Sequence, residues 1–244
     1  YFPLHAFSSA ALLLEREWTP AIEDLLNQQL RDHMRERELR DSISRLTPIE
    51  DEVSRRVRHQ YEENPYPRWV RAAGQVVPTP IDLYLREQFP TRAFTPLNKE
   101  NLDLLVAGCG TGQVAIACAQ EFLGARVLAV DLSLTSLSYA KRRTPADVAS
   151  RIEYAQGDIL KLESLDRNFD VIDSSGVLHH MAEPFEAWQI LLKLLRPGGF
   201  MHIGLYSEAA RHDVWAARKF IADRGFWTTP EDIRRCRQEL LETP

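Results

Sequence analysis

The chain has 244 residues, a net charge of −5, 44% hydrophobic and 27% charged residues. That length can bury a sizeable core, in one large domain or in a domain with a smaller companion, and the composition is that of an ordinary globular protein. The acidic balance argues against a general nucleic-acid binder. No apolar run approaches the roughly 18–20 residues that span a bilayer.

Three cysteines, Cys109, Cys118 and Cys236, include no Cys-x-x-Cys pair, so neither a disulfide framework nor a zinc site is indicated. A reducing, cytoplasmic compartment fits best. Tyr1 to Leu14 is apolar but carries no basic leader and no initiator Met. It reads as the interior of a longer sequence and not as a signal peptide.

Residues 1–72 read as an N-terminal helical region. Thr19-Pro20 opens a helix with an N-cap and a proline at the first helical position, running to about Arg40. Thr47-Pro48-Ile49-Glu50 predicts a second helix start, because Glu50 falls three residues after the threonine as a capping box requires. The alternating charges of Arg31–Arg40 read as a solvated helix face. Two prolines in three positions make Tyr61–Trp69 an extended, aromatic-rich segment. Residues 73–100 form a linker with a short helix near Ile81–Gln88.

From Asn101 short apolar runs alternate with helical patterns. Strands are expected at Leu102–Ala107, Arg126–Val130, Ile152–Ala155, Phe169–Asp173 and Phe200–Tyr206. Helices are expected at Gln113–Leu123, Leu134–Arg142 and Pro184–Leu195, with Arg196-Pro-Gly-Gly199 breaking the last of them before the fifth strand. This is the grammar of βαβ units: an α/β, doubly wound, mostly parallel sheet over residues 101–206. Residues 207–244 read as two further helices, the second opened by Thr229-Pro230.

The first strand runs into Gly108-Cys-Gly-Thr-Gly112, and a helix follows at once. Such a unit lets a ligand approach the backbone beside a positive helix end, although glycines serving a tight turn give the same signal. Asp131 ends the second strand about 20 residues later, where a carboxylate accepts from ribose hydroxyls or caps a helix. Ser133 is placed to cap the next helix. Asp158, in Gln156-Gly-Asp-Ile159, falls on the same rim after the third strand. There it suits an exocyclic adenine amine, with Ile159 as an apolar neighbour. A nicotinamide dinucleotide fits less well: its fingerprint is Gly-x-Gly-x-x-Gly, and Gln113 stands where the third glycine belongs.

Gly108–Gly112, Asp131, Gly157-Asp158, Phe169–Met181 and Leu195-Arg-Pro-Gly-Gly199 together resemble the class I S-adenosylmethionine-dependent methyltransferases, over about 100 residues. Tyr61–Trp69 and Gly204-Leu-Tyr-Ser207 resemble, more narrowly, the bacterial methyltransferases often fused to tetratricopeptide repeats, and so suggest a fused or associated helical-repeat segment. The resemblance implies S-adenosyl-L-methionine as cofactor. It assigns Gly108, Gly110 and Gly112 to the methionine part, Asp131 and the adjoining Leu132 to the ribose side, Asp158 and Ile159 to the adenine, and Ser175, within Ser174–Gly176, to the reacting side. One departure is Val106-Ala107, where the family often has an acidic residue; Asp103 stands too early on the strand to replace it.

Methyl transfer from a sulfonium is an in-line displacement that requires no nucleophilic side chain. No serine elbow or cysteine–histidine arrangement is found. His179-His180 reads as packing, as a base for an oxygen or nitrogen acceptor, or, least well, as a metal pair, since adjacent side chains point apart. Tyr61, Tyr66 and Tyr206 either cap the cofactor or pack. No catalytic residue and no metal ligand is assigned. Two functions follow: a methyltransferase with a small-molecule or protein acceptor, or a non-catalytic interaction module of the same fold. The second draws on the missing strand-like run after Tyr206, where this class carries two more strands. An exposed sheet edge there predicts poor solubility.

Overall fold

Six parallel strands frame the chain's core: β1 (Ser44–Arg45), β2 (Leu102–Ala107), β3 (Ala125–Asp131), β4 (Ile152–Gln156), β5 (Phe169–Ser175) and β6 (Leu195–Gly204). Their order is β1-β4-β3-β2-β5-β6, and every neighbouring pair is parallel. The computed structural model describes residues 3–70, 76–207 and 209–242. Helices α1 (Pro20–Leu26), α2 (Asp32–Arg40), α3 (Glu52–Glu63) and α4 (Ile81–Gln88) precede β2. They are followed by α5 (Gln113–Glu121), α6 (Leu134–Arg143), α7 (Pro184–Leu194), α8 (His212–Asp223) and α9 (Pro230–Glu242). The chain divides into two compact units, Tyr1–Gly204 and Leu205–Pro244.

The central strands look uniformly apolar because both faces are covered. Leu102, Leu104 and Val106 join Ala115 and Ile116 of α5 and Leu137 and Tyr139 of α6 in one core. Leu105 and Ala107 join Ile190, Leu191 and Leu194 of α7 in the other. The alternation follows the period of two along a strand. β2 lies between β3 and β5, so the order of strands reverses there. Open α/β sheets take ligands at such switch points, in a crevice outside the carboxyl ends of the strands, and the glycine loop follows β2 at that end.

Helices α1 and α2, joined by a wider helical turn at Asn27–Arg31, run from Pro20 to Arg40 as the sequence predicts. The predicted helix start at Thr47 is overturned. Residues Ser44–Arg45 instead pair with Ala155 and Gln156 at the sheet edge. Helix α3 begins at Glu52, with Asp51 Oδ1 accepting from Ser54 N–H at 2.8 Å. Thr47 does not cap, because its hydroxyl oxygen accepts from the distant Asp158 N–H at 2.8 Å.

The expected break at Arg196-Pro-Gly-Gly199 also resolves differently. β6 already starts at Leu195, and its register slips from Phe169↔Leu195 to Val171↔Phe200, so the Pro-Gly-Gly run bulges within the strand. A Cβ on Gly199 would sit 2.6 Å from the Asp170 carbonyl oxygen, which explains the glycine. Among the described residues no strand follows Gly204. In the second unit α9 opens as predicted, with Asp232 N–H donating to Thr229 Oγ1 at 3.2 Å. The boundary expected at residues 72–73 falls in 71–75, outside the described residues.

Candidate functional site

Gly108, Gly110 and Gly112 all adopt positive φ, at 81°, 52° and 86°. Two of them are fixed by packing inside the protein: a Cβ on Gly108 would meet Val177 Cγ2 at 2.3 Å, and one on Gly112 would meet Ala140 Cβ at 2.6 Å. Gly110 is less crowded, with the Tyr66 carbonyl oxygen 3.5 Å from the Cβ position. The loop hangs from β3. Gly108 and Cys109 N–H both donate to the Val130 carbonyl, and Gly110 N–H donates to Asp131 Oδ2 at 2.8 Å. Cys109 is buried, and burial pushes its thiol well up, which leaves it a small filler without thiolate character.

Asp131 therefore orders the loop. Its second oxygen accepts from Ser133 N–H at 2.9 Å, and Ser133 caps α6 by accepting from Ser136 N–H at 3.1 Å. Burial pushes the Asp131 carboxyl above the ordinary range, against the N–H groups of Ser133 and Gly110 that favour its charged form. A carboxylate has about four acceptor positions, so two bonds leave capacity for a hydroxyl donor. Leu132 carries its carbonyl to Gln156 Nε2 at 2.8 Å, stitching β3 to β4.

Asp158 is fully buried at the end of β4. Its Oδ1 accepts from Leu160 N–H at 3.0 Å, while Oδ2 has no hydrogen-bond partner. Ile159 beside it belongs to the core on the α7 face. Ser174 is buried and donates to the Ala107 carbonyl at 3.1 Å, tying β5 to β2. Gly176, at φ 76°, has nothing within 4 Å of its Cβ position, so open space lies beside Ser175.

Several residues at this rim escape sequence reasoning. His202 Nδ1 meets Asp173 Oδ2 at 2.6 Å across β5 and β6, with Ser175 Oγ at 3.2 Å. Only the strand register could have paired them. Glu62, at the end of α3, accepts from Leu134 N–H at 2.6 Å and Thr135 Oγ1 at 2.8 Å, and pairs with Arg40. Burial works to raise its carboxyl, but those hydrogen bonds and the Arg40 charge outweigh it and hold it low. Trp69 Nε1 donates to the Thr111 carbonyl at 3.0 Å. The aromatic and proline density of Tyr61–Trp69 marked an ordered segment, but nothing in it named the partner. His179 and His180 sit in a short turn after β5 with ring centroids 4.4 Å apart. Asp103 pairs with Arg126 and Arg196 at the opposite end of β2, well away from this crevice.

Comparison with known proteins agrees with this geometry. Residues 105–203 match the family model described as methyltransferase domain. Demethylmenaquinone methyltransferase of Clavibacter sepedonicus is 36% identical over 109 residues, covering 45% of this chain and 42% of that protein. An uncharacterised Synechococcus protein is 30% identical over 188 residues, covering 75% of this chain and 44% of that one. Among solved structures, PKMT2 from Rickettsia typhi in complex with AdoHcy shares the fold at a TM-score of 0.53 and 24% identity, over 72% of this chain and 34% of that one. The chain thus spans under half the length of each of these relatives. The sheet order and the matched stretch define a Rossmann-like methyltransferase fold. The matched stretch runs from within β2 to β6, so the core resembles a methyltransferase domain. Among the described residues no helix is long and apolar enough to cross a membrane, and no three His, Cys, Asp or Glu side chains are grouped to hold a metal ion.

Proposed function

We propose that this chain binds S-adenosylmethionine and transfers its methyl group to a small-molecule or protein acceptor. The observation that carries this reading is the set of groups at the carboxyl ends of β2, β3 and β4. A left-handed glycine loop stands beside Asp131, and Asp158 keeps one buried oxygen without a donor. A buried acceptor left unsatisfied costs about 1–3 kcal/mol or more. An adenine amine is the donor that would satisfy it.

The residues fit the cofactor in parts. Gly108–Gly112 would hold the methionine end, Asp131 and Leu132 the ribose, and Asp158 with Ile159 the adenine, while Ser175 and the open space at Gly176 would face the acceptor. When bound, the cofactor supplies an activated methyl group on a sulfonium. The chain's own residues align the two reactants and keep water away. Asp131 does so through the loop, since its Oδ2 fixes Gly110 while its free acceptor capacity faces the crevice. His202 Nδ1 lies 2.6 Å from Asp173 Oδ2, and a neutral ring that donates there would keep Nε2 as its acceptor nitrogen. In that form His202 would serve as a base for an acceptor whose nucleophile carries a proton. A cytoplasmic setting, no nucleic-acid partner and an associated helical-repeat segment belong to the same proposal.

Calorimetry on the purified chain tests it. Adenosylhomocysteine should bind, and Asp131→Ala should weaken binding at least tenfold, because it removes the ribose acceptor and releases Gly110 together. A folded chain that takes up no adenosylhomocysteine would sink the proposal. Binding without methyl transfer to any acceptor would favour the non-catalytic module.

A further inference from the structure

The region before β2 reaches into the crevice at two separate places, and each contact bears on a different part of the proposed ligand. At the β4 end, Leu46 N–H donates to the Gln156 carbonyl at 2.8 Å and delivers the buried Thr47 next to Gly157 and Asp158. Thr47 Oγ1 accepts from Asp158 N–H at 2.8 Å and lies 3.4 Å from the Cβ position of Gly157. Asp158 is thereby held at its main-chain amide by Thr47 and at Oδ1 by Leu160 N–H. One anchor on the main chain and one on so short a side chain fix the direction of the remaining oxygen, the one without a partner.

At the glycine loop the contact is a clamp. Thr111 is buried between Gly110 and Gly112, both at positive φ and without side chains to hold them. Its hydroxyl donates to the Pro67 carbonyl at 2.6 Å, and its carbonyl accepts from Trp69 Nε1 at 3.0 Å. Trp69 is itself buried, and its carbonyl accepts from the Tyr139 hydroxyl. The loop is thus gripped from outside the sheet by Pro67-Arg68-Trp69 while Asp131 holds it from within.

We infer that Thr47 and Trp69 are positioning residues of the cofactor site, Thr47 acting through Asp158 on the adenine and Trp69 acting through Thr111 on the methionine end. The inference rests on the reading under Proposed function. It makes the segment from Thr47 to Trp69 part of the ligand site and not a separate extension.

Two ligands that differ only at one end provide the test. Adenosylhomocysteine carries both ends, whereas 5′-methylthioadenosine lacks the amino-acid tail. Thr47→Val should weaken both ligands by a similar factor of about five to ten, the loss expected when one hydrogen bond to a binding group is removed, and Thr47→Ser should restore both. Trp69→Phe keeps the buried ring but deletes the donor, so it should weaken adenosylhomocysteine by about the same factor and leave methylthioadenosine unchanged. Thr111→Val, which removes the other bond of the clamp, should reproduce that pattern and guards against a Trp69 variant that folds poorly. A wild-type chain that binds adenosylhomocysteine while the variants bind both ligands unchanged overturns the inference, as does an equal loss for both ligands in the Trp69 and Thr111 variants. A wild-type chain that binds neither ligand overturns the methyltransferase reading, and this inference with it.

Discussion

The two ends of the one sheet treat their carboxylates in opposite ways. At the amino ends Asp170, 1% exposed, is met by Lys99 at 2.5 Å and Arg196 at 2.8 Å, and Asp103 by Arg126 at 2.8 Å and Arg196 at 3.0 Å. A cleft of about 430 Å³ lies there, lined by Asp103, Arg126, Ser150, Arg151, Glu153 and Arg167, and two of its arginines already pair with carboxylates. At the carboxyl ends Asp131 and Asp158 receive backbone N–H groups, and Asp158 keeps one oxygen unpaired. Charge that is neutralised inside the protein stabilises the fold. Under the proposed function, charge that is held in place but left unsatisfied would meet the ligand, and the parallel topology collects such groups on one rim.

The contrast breaks most directly by deleting one carboxylate from each end. Asp170→Ala leaves Lys99 and Arg196 facing each other without their shared anion, so the chain should lose about 2–4 kcal/mol of stability, discounted for the partial exposure of both cations. Its remaining folded fraction should bind adenosylhomocysteine normally. Asp158→Ala should cost about 1 kcal/mol at most, the loss of the Leu160 cap, yet weaken adenosylhomocysteine by about ten- to a hundredfold. Denaturant titration beside calorimetry reads both, and the reverse pattern would refute the division of labour.

Glycines sharpen the same comparison at a smaller scale. Gly108→Ala places a methyl against Val177 in a left-handed backbone and should cost about 2–3 kcal/mol. Gly176→Ala meets open space and should cost only the backbone term, about 1 kcal/mol. Val177→Ala should rescue Gly108→Ala in part and leave Gly176→Ala unchanged in thermal melts.

The smallest effect is in pH, and the two ends have opposite signs. Burial works to raise the Asp170 carboxyl, but hydrogen bonds from Lys99, Arg196 and Asp103 N–H hold it below its ordinary 3.8. Its stabilisation is full above that value and is lost as pH falls through the lowered pKa. Asp131 is raised by burial, so its contribution is full below 3.8 and is lost as pH rises through the raised pKa. Melting temperature against pH should therefore lose part of its acid limb in Asp170→Asn, the rest belonging to groups such as Glu62, and in Asp131→Asn lose part of the decline above pH 3.8.

Much of the core was legible because its signals are local. The apolar runs gave β2 to β5 within two residues, Gly108–Gly112 announced the loop, and Ser133 capped α6 where its position next to Asp131 suggested. Thr47 misled for the same reason that makes it useful. A threonine three residues before a glutamate satisfies the local rule for a helix start, and only the folded sheet offers it the competing Asp158 amide 111 residues away. Pro-Gly-Gly after Arg196 likewise reads as a break, yet pairing with β5 carries the strand across it as a bulge. The sequence by itself determined the class of fold and the succession of elements from β2 to α7, since periodicity and glycine spacing act over a few residues. Tertiary structure alone decided which of these groups are already satisfied: Asp170 by cations, Asp131 by two amides, Asp158 by one, and the loop by a tryptophan from outside the sheet. Hydrogen-bond partners distant in sequence exist only once the sheet has brought them together, and they separate the carboxylates neutralised by cations from those held by backbone amides.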